Sequence, residues 1–175
     1  MDHRPIHLVL MGVSGCGKTS VASTLERHLS WPYAEADDFH PQANKDKMAL
    51  GVALNDEDRW PWLETLRSWM SNHAKAGNNT IVTCSALKQS YRDLLAQADG
   101  DVVFVHLSGS QNLIAQRMSS RVGHFMPATL LPSQFATLEP LAPAEDGFTV
   151  DIARPIADIV DTVLAELAAR KDSQK

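Results

Sequence analysis

Residues 12–19 read Gly12-Val13-Ser14-Gly15-Cys16-Gly17-Lys18-Thr19, which fits the pattern GxxxxGK[ST]. The short apolar run Ile6-His7-Leu8-Val9-Leu10-Met11 precedes the motif. Val21, Ala22, Leu25 and Leu29 follow it at helical spacing. A glycine-rich turn between a strand and a helix lets consecutive backbone N–H groups converge on phosphate oxygens. The helix N-terminus adds partial positive charge there. The pattern predicts that Gly12 to Thr19 cradle a nucleotide, that Lys18 reaches its β- and γ-phosphates, and that the Thr19 hydroxyl ligates Mg²⁺. A glycine-rich turn without a ligand is the competing reading. It leaves a lysine beside a helix N-terminus with no anion to offset it.

The remaining chain repeats the same alternation. Strand-like runs at Trp31 to Asp37, Thr80 to Cys84, Asp101 to Leu107 and Phe148 to Ile152 alternate with helix-like segments. The segment of Trp62, Leu63, Leu66, Trp69 and Met70 has helical spacing, with Pro61 as its expected first helical position. Leu87, Tyr91, Leu94 and Leu95 mark the next helix, and Leu113 to Arg121 another. Ile156 to Leu167 supplies the closing helix. Continuous apolar strands predict a parallel sheet covered on both faces, an α/β fold of the P-loop NTPase class. The 175 residues are expected to form one domain. Four of the nine prolines lie between Pro127 and Pro143, so residues 123–147 are expected to be irregular and mobile.

A formal net charge of −5 argues against a nucleic-acid partner, which requires a strong basic field. The first apolar run is too short to span a bilayer and lacks the layout of a signal peptide. No membrane association is expected. Two cysteines, Cys16 and Cys84, are too few for a disulfide framework and lack metal-ligand spacing. A reduced, cytoplasmic protein is expected. Cys16 sits beside Lys18 near a helix N-terminus, which favours a reactive thiolate if the side chain is accessible and an inert thiol if it packs behind the loop.

The class of P-loop protein follows from what is missing. The near match to a guanine-reading motif, Asn44-Lys45-Asp46-Lys47, ends in the wrong residue. The run Thr83-Cys84-Ser85 ends a strand without the acid that motor ATPases carry there. A small-molecule kinase remains. Its acceptor hydroxyl needs a carboxylate to orient it and take its proton. Asp37, in Asp37-Asp38-Phe39-His40-Pro41, is placed for that role, and it is equally suited to cap a helix or turn.

Several blocks together resemble bacterial gluconokinases of the P-loop type. They are Met11 to Gly15, Asp37-x-x-His40-Pro41, Asn44 with Lys47-Met48, and Leu54-Asn55-Asp56-x-Asp58-Arg59-x-Pro61-Trp62-Leu63. Cys84-Ser85-Ala86-Leu87-Lys88-x-x-Tyr91-Arg92-Asp93 and Arg121-x-Gly123-His124-Phe125-Met126 belong to the same set. The resemblance spans about residues 8–152, with Cys16 and Ala36 standing where the family often has Ser and Gly. It implies a five-stranded sheet of order 2-3-1-4-5 and transfer of the ATP γ-phosphate to the 6-hydroxyl of D-gluconate. Mg²⁺ is the implied metal and a homodimer the implied state. A kinase of the same fold for shikimate or a nucleotide is the alternative.

Gluconate is an anion with several hydroxyls. Arg59, Lys88 and Arg92 are candidates for its carboxylate, and each is otherwise a surface or ion-pairing base. Lys88 and Arg92 lie four apart and are expected to share a helix face. His40 and His124 are candidates for its hydroxyls. Arg117 and Arg121 lead into the proline-rich stretch. They suggest a lid over about 117–147, with Arg117 on the nucleotide and Arg121 on the transferring phosphoryl group.

Overall fold

The computed structural model describes residues 3–120 and 130–173. Five parallel strands form one sheet: β1 (Ile6–Met11), β2 (Tyr33–Glu35), β3 (Thr80–Thr83), β4 (Asp101–Ser108) and β5 (Gly147–Asp151), in spatial order β2-β3-β1-β4-β5. The register sets Leu8 beside both Ile81 and Val103, so β1 is central and its six residues are all buried. Parallel neighbours need long crossovers, and helices supply them. These are α1 (Lys18–Leu29), α2 (Gln42–Ala49), α3 (Asp56–Lys75), α4 (Gln89–Leu95), α5 (Gln111–Ser119) and α6 (Leu131–Thr137), while α7 (Ile156–Ser173) follows β5 and packs back on the core.

Side chains alternate across the pleat, so the continuous apolar strands feed two cores. Leu8, Leu10, Val103, Val105 and Leu107 face α1, α5 and α7 through Val21, Leu25, Ile114, Val160 and Val163. Val9, Met11, Val82, Val102 and Phe104 face α3 and α4 through Trp62, Leu63, Leu66, Met70 and Leu95. Among the described residues no helix is long and apolar enough to cross a membrane.

Two local readings are corrected. Pro61 is not the first residue of its helix; α3 starts five residues earlier. There Asn55 accepts from the Asp58 N–H while the Asp58 carboxylate accepts from the Asn55 N–H, a reciprocal capping box. Asp56, Glu57 and Asp58 fill the first turn, where the helix dipole favours negative charge. The stretch after residue 130 is not wholly irregular: α6 forms within it, opened by a proline in its first turn.

Candidate active site

The glycine-rich loop leaves β1 and returns as α1, with Gly17 at the helix cap in a left-handed conformation (φ 100°). The loop is held tightly from behind. The Gly12 N–H donates to Ser85 O at 3.2 Å, and a Cβ at Gly12 would stand 2.8 Å from Cys16 Sγ. A Cβ at Gly15, where φ is 80°, would stand 2.5 Å from Met118 Cγ on α5. Only glycine fits either position without moving a neighbour. Lys18 Nζ donates to Gly12 O (2.9 Å) and Val13 O (3.1 Å), so its ammonium lies against the first half of the loop. Cys16 is 2% exposed, and its side chain belongs to the core behind the loop. Of the two placements the sequence allows for this thiol, the packed one is found.

Thr19 Oγ1 donates to Glu35 Oε1 at 2.9 Å. The same carboxylate accepts from the Tyr33 hydroxyl and from Thr83 Oγ1. Burial pushes the Tyr33 phenol up, and its hydrogen bond to the carboxylate pushes it further. Glu35 has three hydroxyl donors and, among the described residues, no ion-pair partner. A carboxylate beside the P-loop hydroxyl, without a cation of its own, is a hard-oxygen donor set that suits Mg²⁺. No cluster of three or more His, Cys, Asp or Glu side chains suited to a metal occurs among the described residues. Glu35 was not singled out from the sequence, where it reads only as part of a strand.

Beyond β2 a 3₁₀ turn, Ala36–Phe39, carries Asp37 into solvent with its side chain 90% exposed. His40 is stacked on Trp62, with centroids 4.1 Å apart. Its Nε2 lies 3.9 Å from Asp37 Oδ1, and its Nδ1 lies 3.3 Å from Asn44 Nδ2. Burial holds the imidazole below its ordinary value against the pull of Asp37. Trp62 is anchored in turn by its N–H to Ala36 O at 2.7 Å. Trp60, Trp62 and Trp69 all pack in or against the core over α3, in agreement with their helical spacing. The buried Cys84 thiol at the end of β3 is pushed up to about 12 by burial. The loop after β1 and the 3₁₀ turn after β2 leave the same edge of the parallel sheet, so Lys18 and the exposed Asp37 share that edge.

An open groove of about 550 Å³ is lined by Leu54, Asn55, Asp56, Glu57, Arg59 and Lys88. Asp56 organises it. Its carboxylate accepts from Lys88 Nζ at 3.1 Å and from the Tyr91 hydroxyl at 2.5 Å, and Arg59 Nη1 stands 3.9 Å away. The Tyr91 and Lys88 hydrogen bonds hold the Asp56 carboxyl below the usual carboxylate range. Arg59 also donates to Leu54 O at 2.8 Å and lies over the Tyr91 ring, as does Lys88.

Arg92 departs from expectation. Lys88 is the extended N-cap of α4, so the two bases do not share a helix face. Arg92 points inward and is 0% exposed. Its five N–H groups are taken by Glu145 (twice), Ala86 O, Leu87 O and Pro140 O, which leaves no donor for a substrate. Arg117 donates to Ile152 O at 2.6 Å and so ties α5 to the end of β5. Arg121 and His124 lie outside the described residues. Gln134, on α6, was missed by the sequence reading. Its Oε1 accepts from the Ser14 N–H at 2.7 Å, and its Nε2 donates to Ser14 Oγ at 3.0 Å.

A phosphate loop at the C-terminal edge of a parallel sheet, with an acidic and a cationic group beside it, defines a P-loop kinase of small molecules. A family model described as shikimate kinase matches residues 14–127. The gluconokinase of Gluconobacter oxydans (strain 621H) is 49% identical over 146 residues, covering 83% of this chain and 81% of that protein. The crystal structure of a gluconokinase from Sinorhizobium meliloti 1021 has a TM-score of 0.86 at 42% identity, covering 98% of this chain and 97% of that one. An unliganded sugar kinase from Janibacter sp. HTCC2649 gives 0.89 at 48% identity, over 94% and 95%. The chain belongs to the shikimate kinase family and, within it, to the gluconokinases.

Proposed function

We propose that the protein transfers the γ-phosphate of ATP to the 6-hydroxyl of D-gluconate. The observation that carries this reading is the glycine-rich loop after β1, with Lys18 lying against it, at the same edge of the parallel sheet as the 3₁₀ turn after β2 that exposes Asp37. Asp37 orients the acceptor hydroxyl and takes its proton as the new P–O bond forms. Lys18 offsets charge on the β- and γ-phosphate oxygens, and the loop N–H groups fix the nucleotide. Thr19 and Glu35 would hold Mg²⁺, which neutralises phosphate charge when bound. Lys88 and Arg59 attract the gluconate carboxylate in the groove beside Asp56, while Tyr91 and Asp56 offer hydrogen bonds to hydroxyls. His40, held neutral against Trp62, can serve as both donor and acceptor toward an acceptor hydroxyl.

The test is ADP release by the purified protein with MgATP, with and without gluconate. Gluconate-dependent release supports the reading. Release stimulated by shikimate or a nucleoside monophosphate instead would move the acceptor elsewhere within the same fold; the shikimate kinase match makes shikimate the first control. A homodimeric state, implied by the gluconokinase resemblance, and a cytoplasmic location, expected from the cysteine usage and the short first apolar run, belong to the proposal. A lid over about 117–147 is likewise proposed; α6 within that stretch is packed on the core, so it is not the part that moves.

A further inference from the structure

We infer that Gln134 is a positioning residue that lets the phosphate loop distinguish a nucleoside triphosphate from a diphosphate. The inference rests on the reading of residues 12–19 as a nucleotide site.

The contact has two points. Gln134 Oε1 accepts from the Ser14 N–H at 2.7 Å, and Gln134 Nε2 donates to Ser14 Oγ at 3.0 Å. One hydrogen bond leaves a peptide free to rotate about it; two through the same side chain fix its orientation. Gln134 is itself fixed. Leu131 of α6 is buried in the core that holds Cys16 and Val13, and Phe135 packs against that core. Just after α6, the Glu139 N–H donates to Leu87 O at 2.7 Å, and Arg92 binds Pro140 O and Glu145. The glutamine amide is therefore presented from a rigid support.

The loop divides into two halves held by different elements. Gly17 caps α1, and Lys18 and Thr19 open it; its N-terminus serves the phosphate nearest the helix. Ser14 is gripped by α6 through Gln134, and Gly15 abuts Met118 of α5. Lys18 shows which half faces the terminal phosphate. A P-loop lysine reaches the β- and γ-phosphates, and here its ammonium rests on Gly12 O and Val13 O, next to Ser14. The half of the loop that Gln134 orients is thus the γ-phosphate half. A neutral amide suits this position, because a charge of either sign would alter phosphate affinity directly. Loss of Gln134 acts on the triphosphate and spares the diphosphate.

The test is calorimetric binding of ADP and of the non-hydrolysable triphosphate AMPPNP, with Mg²⁺, to wild type, Gln134→Leu and Gln134→Glu. Gln134→Leu removes both hydrogen bonds and should weaken AMPPNP roughly tenfold. ADP affinity should stay within about twofold. Gln134→Glu keeps an acceptor for the Ser14 N–H but adds negative charge. It should weaken AMPPNP at least as much as Gln134→Leu does, and ADP by a smaller factor, because the added charge lies beside the terminal-phosphate half of the loop. A simple strut would behave otherwise: AMPPNP and ADP would weaken by similar factors in Gln134→Leu. Either that pattern or unchanged AMPPNP affinity in both variants overturns the inference. Should Gln134→Leu fail to fold, Gln134→Ala, which removes the same two hydrogen bonds without added bulk or charge, takes its place and decides. Binding is read without an acceptor, so an error in the acceptor would not mimic failure here. Wild type that binds neither nucleotide would instead overturn the nucleotide site itself.

Discussion

Arg92 and Glu145 form a closed ion pair inside the protein, with Nε 2.7 Å from Oε1 and Nη2 3.1 Å from Oε2. The pair ties α4 to the segment between α6 and β5. Burial pushes the Glu145 carboxyl up, but the Arg92 hydrogen bonds, the Ala142 N–H and the Arg92 charge together bring it below its ordinary value. Arg92→Leu leaves a buried carboxylate unpaired, which costs about 3–5 kcal/mol. For a chain of this size that is a Tm loss of roughly 10 °C. Thermal unfolding measures it. A variant with wild-type Tm and a raised gluconate KM would return Arg92 to the substrate site.

Lys88 behaves differently because it lines the groove. Its hydrogen bond to Asp56 raises its affinity for a proton, so it stays cationic throughout the working range. Lys88→Ala should raise the gluconate KM by roughly 10–150-fold, the value of one lost charge-assisted hydrogen bond. The ATP KM should change little and Tm hardly at all. Equal effects on both substrates would instead mark Lys88 as a structural partner of Asp56.

Asp37 contributes little to the fold, being exposed at a 3₁₀ turn. Asp37→Asn should therefore keep Tm and ATP affinity while lowering kcat by roughly 10²–10⁴. Single-turnover measurements at saturating substrates isolate the chemical step. Collapse of ATP affinity with kcat intact would make Asp37 part of the metal or nucleotide site.

The alternation of apolar runs with amphipathic segments made the layered parallel sheet legible, and the GxxxxGK[ST] match located its phosphate end. What stayed hidden was non-local. Glu35 receives hydroxyls from Thr19, Tyr33 and Thr83, which lie on α1, β2 and β3, so no local spacing announces the set. Gln134 meets Ser14 across 120 positions of sequence. The pairing of Lys88 with Arg92 failed for a local reason. A spacing of four gives a shared face only inside a helix, and α4 starts at Gln89. The start of α3 was readable in Asn55 and Asp58, a capping pattern that the acidic run disguised as a turn.

Two buried histidines, His7 and His106, and the half-buried His40 shape the pH dependence of stability. His7 is bracketed by Thr80 Oγ1 and Asp99 O, each at 2.7 Å; the carbonyl requires an N–H on Nε2, and Nδ1 then accepts from the hydroxyl. Burial lowers His7 and His40 from 6.5, and it lowers His106 with help from the Arg92 charge. A depressed folded-state histidine binds fewer protons than the unfolded one. Stability is then complete above about pH 6.5 and is lost as pH falls below it, by up to about 1.4 kcal/mol per pH unit per histidine. The Glu145 contribution fades only at lower pH, below its ordinary 4.5. Urea midpoints between pH 7.5 and 5 should fall with decreasing pH, and His106→Gln should flatten the slope. A flat wild-type profile would show that these imidazoles titrate as in the unfolded chain.

The last expectation concerns the two thiols. Cys16 and Cys84 are both buried, at 2% and 3% exposure. Iodoacetamide should label neither in the native protein on a timescale that labels both after unfolding, and MgATP should add no protection beyond slowing global opening. Cys16 matters through its volume. Its sulfur lies where it would meet any Cβ at Gly12, so the loop and the thiol fill one space. Cys16→Ser only slightly reduces that volume and should retain turnover, with a small loss of Tm from burying a hydroxyl. Cys16→Met adds bulk to a filled site, costs about 1–3 kcal/mol and should push the loop at Gly12, raising the ATP KM more than the gluconate KM. Mass-spectrometric mapping after a limiting dose of reagent, with ATP kinetics of both variants, checks the argument. Rapid, MgATP-protected labelling of Cys16 in the native enzyme would place its thiol on the nucleotide side of the loop instead.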